Sequence, residues 1–323
     1  MDKPFKTIDE QIEILKSRKM IVNSKYARKS LMKNGYYNVI NGYKDFFLKE
    51  NSNEFIDGTN YVDLENLFKI DQMLSQAMFY ACLSIERTFK TNLAYFLSEK
   101  FGEKESDYLD KKNYSTGKSL GNKKWQIDNT IREFNKLLDE DIQPIKHYKN
   151  KYNNVPPWIL FTRASFGNIY YLFKLSRSDI KTKVIASILG IDYADVDAPL
   201  KQVFSDAMFL ILHFRNRTAH ANRTYNFTIQ ASDQFLKFHE SFFKPFNLTK
   251  QDNLDGICRK DVYAFIASIY FIDKEVYIGL RKKVIYILKA YEHLKPVNYI
   301  KLLLAMGFND KQIEKDIETI LPI

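Results

Sequence analysis

Cysteine is nearly absent from this chain, with two residues, Cys82 and Cys258, in 323. Both fall in apolar patterns, so buried free thiols are expected in place of a disulfide framework or thiolate metal site, which suits a reducing cytoplasm. Glycine (11) and proline (8) are also scarce. With long amphipathic runs, that argues for a mostly α-helical protein. No apolar run approaches a membrane span, and the opening MDKPFKTIDEQ holds no hydrophobic signal core. A soluble, cytoplasmic protein without a membrane partner is expected. The sequence shows no phosphate-binding glycine loop, zinc-ligand spacing, heptad or internal repeat. Nucleotide hydrolysis and metal catalysis therefore have no support, and neither a metal nor a cofactor is expected. Acids are outnumbered: 39 Asp and Glu face 49 Lys and Arg, a formal charge of +10. That balance favours an anionic partner, most simply nucleic acid.

Helical spacing dominates what is present. Thr7 and Glu10 form a capping-box pattern at the first helix. Ser24 is placed to cap a second, which stops near Asn34-Gly35, and YYNVINGYKDFF reads as a short third. Lys16, Arg18, Lys19, Lys25, Arg28, Lys29 and Lys33 follow one another with no acid between them. This run reads either as a solvated face or as a phosphate-tracking patch with Tyr26, Tyr36 and Tyr37 nearby. A long helix is predicted from Val62 to about Lys100, with Glu86 among its apolar positions, either in a structural salt bridge or aimed at a site. Residues 103–126 read as an irregular basic loop, and a helix follows from Trp125 to Asp141. Beyond Pro156-Pro157, WILFTRASFGNIYYLFKL reads as one apolar helix in which Gly167 admits a close backbone neighbour. Further helices are predicted at Ile180–Ile188, Ala231–Phe243, Lys260–Phe271, Asp273–Glu292 and Pro296–Met306, with MGFNDKQIEKDIETIL as a terminal helix. Three regions are expected: residues 1–60, helical and basic; 61–240, a helical core with a basic insertion near 103–155; and 241–323, C-terminal helices.

The densest chemistry lies in LKQVFSDAMFLILHFRNRTAHANRTYN, residues 200–226. Leu200, Val203, Phe204, Ala207, Ile211, Phe214 and Thr218 recur at spacings of three and four and share one helix face. Asn216, His220 and Arg223 fall nearly opposite. Bland readings exist: a histidine meeting the helix dipole, arginines decorating a surface, an asparagine cap. The combination also fits metal-free RNA cleavage. Histidine moves protons near neutral pH, arginine holds a phosphate whose charge grows in the transition state, and asparagine orients either. In an ideal helix Arg215 points about a third of a turn away from Asn216 and His220, so convergence needs a bend or a second subunit. Phe209 and Leu212 lie on the side of Asn216 and His220. As exposed apolar residues there, they would suggest a homodimer.

Arg215-Asn216-x-x-x-His220 resembles the R-x4-6-H motif of the HEPN ribonuclease superfamily. More narrowly, the chain resembles the Abi-like (abortive infection, AbiD/AbiF-type) family through five segments. They are KPFKTIDEQIEILKSRKMIV, SKYARKSLMKNGYYNVINGY, LENLFKIDQMLSQAMFYACLSIERTF, PPWILFTRASFGNIYYLFKL and RNRTAHANRTYN. The resemblance implies an all-α, HEPN-type core that dimerises and a metal-independent endoribonuclease leaving a cyclic phosphate. It also implies a role in phage defence as a growth-arresting toxin, and an association with a small non-coding RNA besides the target RNA. By motif position, Arg215, Asn216 and His220 are the expected catalytic residues. Arg217 and Arg223 join Lys16, Arg18, Lys19, Lys25, Arg28, Lys29 and Lys33 as expected RNA contacts. Thr218, Arg163, Gln72 and Ser75 depart from the family's usual residues. Two other outcomes stay open: a module that holds a non-coding RNA with little or no cleavage, and a polar knot that is only a dimer contact.

Overall fold

A run as long and as apolar as residues 61–101 cannot bury one stripe alone, and the fold is built around it. The computed structural model describes residues 4–220, 222–230 and 235–323. Among them the structure is all-α, with only isolated β-bridges. The helices of seven residues or more are α1 (Ile8–Ser17), α2 (Ser24–Asn34), α3 (Tyr61–Phe101), α4 (Gln126–Asp139), α5 (Ile145–Tyr152) and α6 (Pro157–Arg163). They continue with α7 (Phe166–Leu175), α8 (Ser178–Leu189), α9 (Ala198–Ala219), α10 (Val262–Ile272), α11 (Lys274–Leu294) and α12 (Pro296–Ala305). None is long and apolar enough to cross a membrane.

α3 is the spine, 41 residues and about 60 Å long. It packs against α6, α8, α9 and α11, while α9 lies on α10. Phe204 of α9 meets Phe89, and the Ile211 carbonyl lies 3.8 Å from Cys82 Sγ. Further on, Thr224 and Tyr225 dock on Asp71. α9 and the chain after it therefore run antiparallel along the spine, toward its N-terminal end. On the other side of α9, Phe214 and Phe265 of α10 are 4.9 Å apart between ring centres. The predicted core face of α9 is buried in full.

Four carboxylates are buried on α3: Asp63, Glu65, Asp71 and Glu86. Each ties down a different part of the chain, as a buried charge requires. Asp63 meets Lys295 at 2.5 Å. Glu65 accepts from Tyr26 Oη and, at 2.6 Å, from Ser30 Oγ of α2. Burial opposes its ionisation, but bonds from Lys69, Ser30 and Tyr26 prevail and lower its pKa.

Several expected elements differ. Asn23, not Ser24, caps α2, its Oδ1 accepting from Tyr26 N at 3.1 Å. The segment after Pro157 is two helices, because Ser165 caps a new one at Asn168 N. A Cβ on Gly167 would meet nothing nearer than Ser165 Oγ at 3.7 Å, so no backbone crowds it. Of the helix expected over Ala231–Phe243, residues 231–234 lie outside the described residues, 235–239 are not helical, and only Glu240–Phe243 is. The terminal segment is two single turns, Asp310–Ile313 and Ile317–Ile320. Cys258 is buried but lies in the turn before α10, in a left-handed conformation.

Candidate functional site: a cationic groove beyond the end of α9

α9 ends at Ala219, and His220 is its C-cap, exposed to solvent. Thr218 caps from inside, its Oγ1 donating to the carbonyls of Phe214 (2.8 Å) and Arg215 (3.1 Å). The chain then leaves the helix and is caught by Asp71. That carboxylate accepts from Thr224 N at 2.9 Å, Tyr225 N at 2.6 Å and Tyr43 Oη at 2.6 Å. Burial pushes the Asp71 pKa up against these bonds, which favour the charged form. Tyr43 stacks on Tyr225 with ring centres 5.9 Å apart. The clamp fixes two arginines. Arg217 Nε donates to the Arg223 carbonyl at 2.7 Å, and Arg223 donates through Nη1 to the Gly42 carbonyl. Burial, and then the like charge of Arg223, lower the pKa of Arg217.

Tyr43, Arg217, His220 and Arg223 line a groove of about 580 Å³ between the end of α2, the turn of residues 37–43, α3 and the end of α9. His220, Arg217, Arg223 and Lys33 supply its basic groups, Asp45 its one acid. Carboxamides from Asn34, Asn38, Asn41, Gln72 and Asn222 fill out the walls. Phe68 and Tyr43, edge to face at 5.7 Å, are buried aromatic residues within it.

Arg215 is elsewhere. A helical side chain leans toward the N-terminus of its helix, and Arg215 reaches back to Glu86, Nε to Oε2 at 3.1 Å. Lys90 takes the other oxygen at 2.8 Å and also donates to the Ala164 carbonyl at 2.6 Å. Glu86 and Lys90 line a separate hollow with Leu83, Phe161 and Trp158. Of the two readings of Glu86, the salt bridge is the one observed. No bend brings Arg215 to His220 within one chain, and Asn216 is exposed without lining the groove.

The expected apolar contact surface is also absent. Phe209 and Leu212 are 6% and 5% exposed. Phe209 packs on Tyr170 (5.9 Å) and on His213 (4.3 Å), whose pKa burial lowers.

The N-terminal basic run divides. Lys33 enters the groove. Lys16 pairs with Glu13 at 2.8 Å, Lys19 with Glu54 at 2.7 Å, and Arg28 with Asp9. Arg18 is half-buried, and Lys25 and Lys29 are exposed. Of the three tyrosines, Tyr26 is bonded to Glu65, Tyr36 is half-buried with its pKa raised by burial, and Tyr37 opens into the groove. The clamp around Asp71 is not marked by any motif in the sequence. Its signal was a carboxylate on the buried stripe with Ile70 and Leu74, where a partner is obligatory.

Fold and groove together define an all-α protein with a cationic pocket at the end of a buried helix. A family model described as Abi-like protein matches residues 29–226, more than half of the 323 residues. The chain belongs to the Abi-like protein family. No curated protein and no solved structure matches it. The matched span includes α3, α9, the Asp71 clamp and every lining residue of the groove.

Proposed function

We propose that this Abi-like protein is a metal-independent endoribonuclease of the HEPN type, a toxin that arrests the growth of a phage-infected cell. One observation carries the reading: an exposed histidine in a groove whose fixed cations, Lys33, Arg217 and Arg223, outnumber its one acid, Asp45. A phosphodiester chain suits such a groove, and family membership supplies the setting of abortive infection. In metal-free RNA cleavage one group takes the proton of the 2′-hydroxyl as its oxygen attacks phosphorus. A second group gives a proton to the departing 5′-oxygen, leaving a 2′,3′-cyclic phosphate. His220 serves as one of these, and a second copy's His220 as the other, so the working unit is a homodimer. Arg217 and Arg223 hold the phosphate as its charge grows. Arg215 takes part only by leaving Glu86 when the composite site forms. Expression of the wild type should arrest growth. His220→Ala and Arg215→Ala should each relieve the arrest without changing the oligomeric state. Full toxicity in both contradicts the proposal.

The Arg215–Glu86 pair favours a second reading, in which the groove holds a small non-coding RNA and cleaves weakly or not at all. Co-purification of one discrete RNA, with no cleavage by the bare protein, is its signature.

A further inference from the structure

Within the groove, one aromatic side chain differs from its neighbours in how far it stands out into solvent. Tyr37 stands at the start of the π-turn Tyr37–Asn41 and is 76% exposed. The nearby Tyr43 is 4% exposed and holds Asp71, while Tyr36 is half-buried. A solitary exposed tyrosine needs no explanation on an ordinary surface. This one lines the same pocket as Lys33, Arg217 and Arg223, among the exposed carboxamides of Asn38, Asn41, Gln72 and Asn222. Cations that track phosphates, an aromatic face and amide groups able both to donate and to accept form the set that binds an unpaired nucleotide. A duplex offers no such base. In A-form RNA the bases are stacked and the major groove is too narrow for side chains to read.

We infer that the groove takes a single-stranded segment of RNA, with one unpaired base stacked on Tyr37 and the flanking phosphates on Lys33, Arg217 and Arg223. The inference rests on the reading of the groove as an RNA site and adds strand selectivity and the residue that imposes it. Tyr37 is here a binding residue, and the proton transfers are left to His220. Because the ring is largely solvent-exposed, replacing it removes no core packing.

The test uses the full chain and a cleavage-resistant 2′-O-methyl RNA 12-mer, as a single strand and as its duplex, with affinity read by fluorescence anisotropy. Tighter binding of the single strand is expected, with Tyr37→Ala weakening it by roughly 5- to 100-fold. Tyr37→Phe, which keeps the aromatic face, should stay within about twofold of the wild type. The duplex, which exposes no base, should respond little to either change. Equal single-strand affinity of Tyr37→Ala and wild type, or a preference for the duplex, overturns the inference and leaves the ribonuclease reading standing. Failure of the wild type to bind either form removes both.

Discussion

Arg215 and His220 are five residues apart, yet they face different worlds. Arg215 lies inside the helix, half-buried, its guanidinium on a carboxylate that Lys90 also neutralises. His220 lies just past the last turn, exposed, in a groove dominated by positive charge. The spine carries a counterpart to each: Glu86 holds the arginine, while Asp71 holds the backbone after the histidine and thereby sets Arg217 and Arg223. The two carboxylates are about 22 Å apart along α3. One anchors a side chain and so removes its charge from the surface. The other anchors backbone and so leaves the neighbouring side chains to project into a groove. A motif that reads as one unit in sequence is thus divided between a structural half and a solvent-facing half.

Breaking the anchors gives the largest effects on stability. Asp71→Ala leaves Tyr43 Oη and two buried backbone N–H groups without their acceptor, a loss of roughly 3–5 kcal/mol. Glu86→Ala should cost about 3 kcal/mol by leaving Arg215 and Lys90 unneutralised, discounted because Arg215 is partly solvated. His220→Ala, at an exposed cap, should change stability by no more than about 0.5 kcal/mol. Urea unfolding of the three variants checks the order. A His220→Ala loss as large as that of Glu86→Ala would erase the distinction between the two halves.

A smaller effect sharpens the role of buried carboxylates in general. Burial raises Asp71, lifts Asp206 to about 6 and lifts Asp261 to about 7. For each, the unfolded chain ionises first. The stability these groups contribute is therefore full below the ordinary carboxylate range and falls as pH rises, for Asp206 through about 6 and for Asp261 through about 7. Asp261 Oδ1 caps α10 at Ala264 N, 2.8 Å, a role asparagine can keep. Thermal melts should show Asp261→Asn gaining on the wild type between about pH 4 and pH 7. A gap constant with pH would show that Asp261 does not titrate in this window.

Local periodicity made much of the molecule legible. The long helix expected over Val62–Lys100 is Tyr61–Phe101, and the buried face of α9 matches position by position. What sequence could not show is pairing at a distance. The acids that neutralise Lys16, Lys19 and Arg28 lie outside the Lys16–Lys33 run, so a stretch with no acid in it is less cationic once folded. Glu86 meets Arg215 across 129 positions and Asp71 meets Thr224 across 153. The apolar side chains of Phe209 and Leu212, placed opposite the core stripe, are covered because other helices wrap α9 further round than a single stripe. The groove could be assembled only partly from sequence. Spacing marks His220, Arg217, Arg223 and Lys33, but the carboxamides come from the end of α2, the turn after it, α3 and the chain beyond α9, whose meeting no spacing encodes.

Of the proposed roles, the one most open to direct test is that His220 performs chemistry on RNA in this groove. Its most direct measurement is cleavage of a single-stranded RNA by purified full chain in excess chelator, wild type against His220→Ala. Wild-type products ending in 2′,3′-cyclic phosphate are expected, with a loss of about 100-fold or more in the variant and the fold retained. Equal cleavage by the two proteins would contradict it.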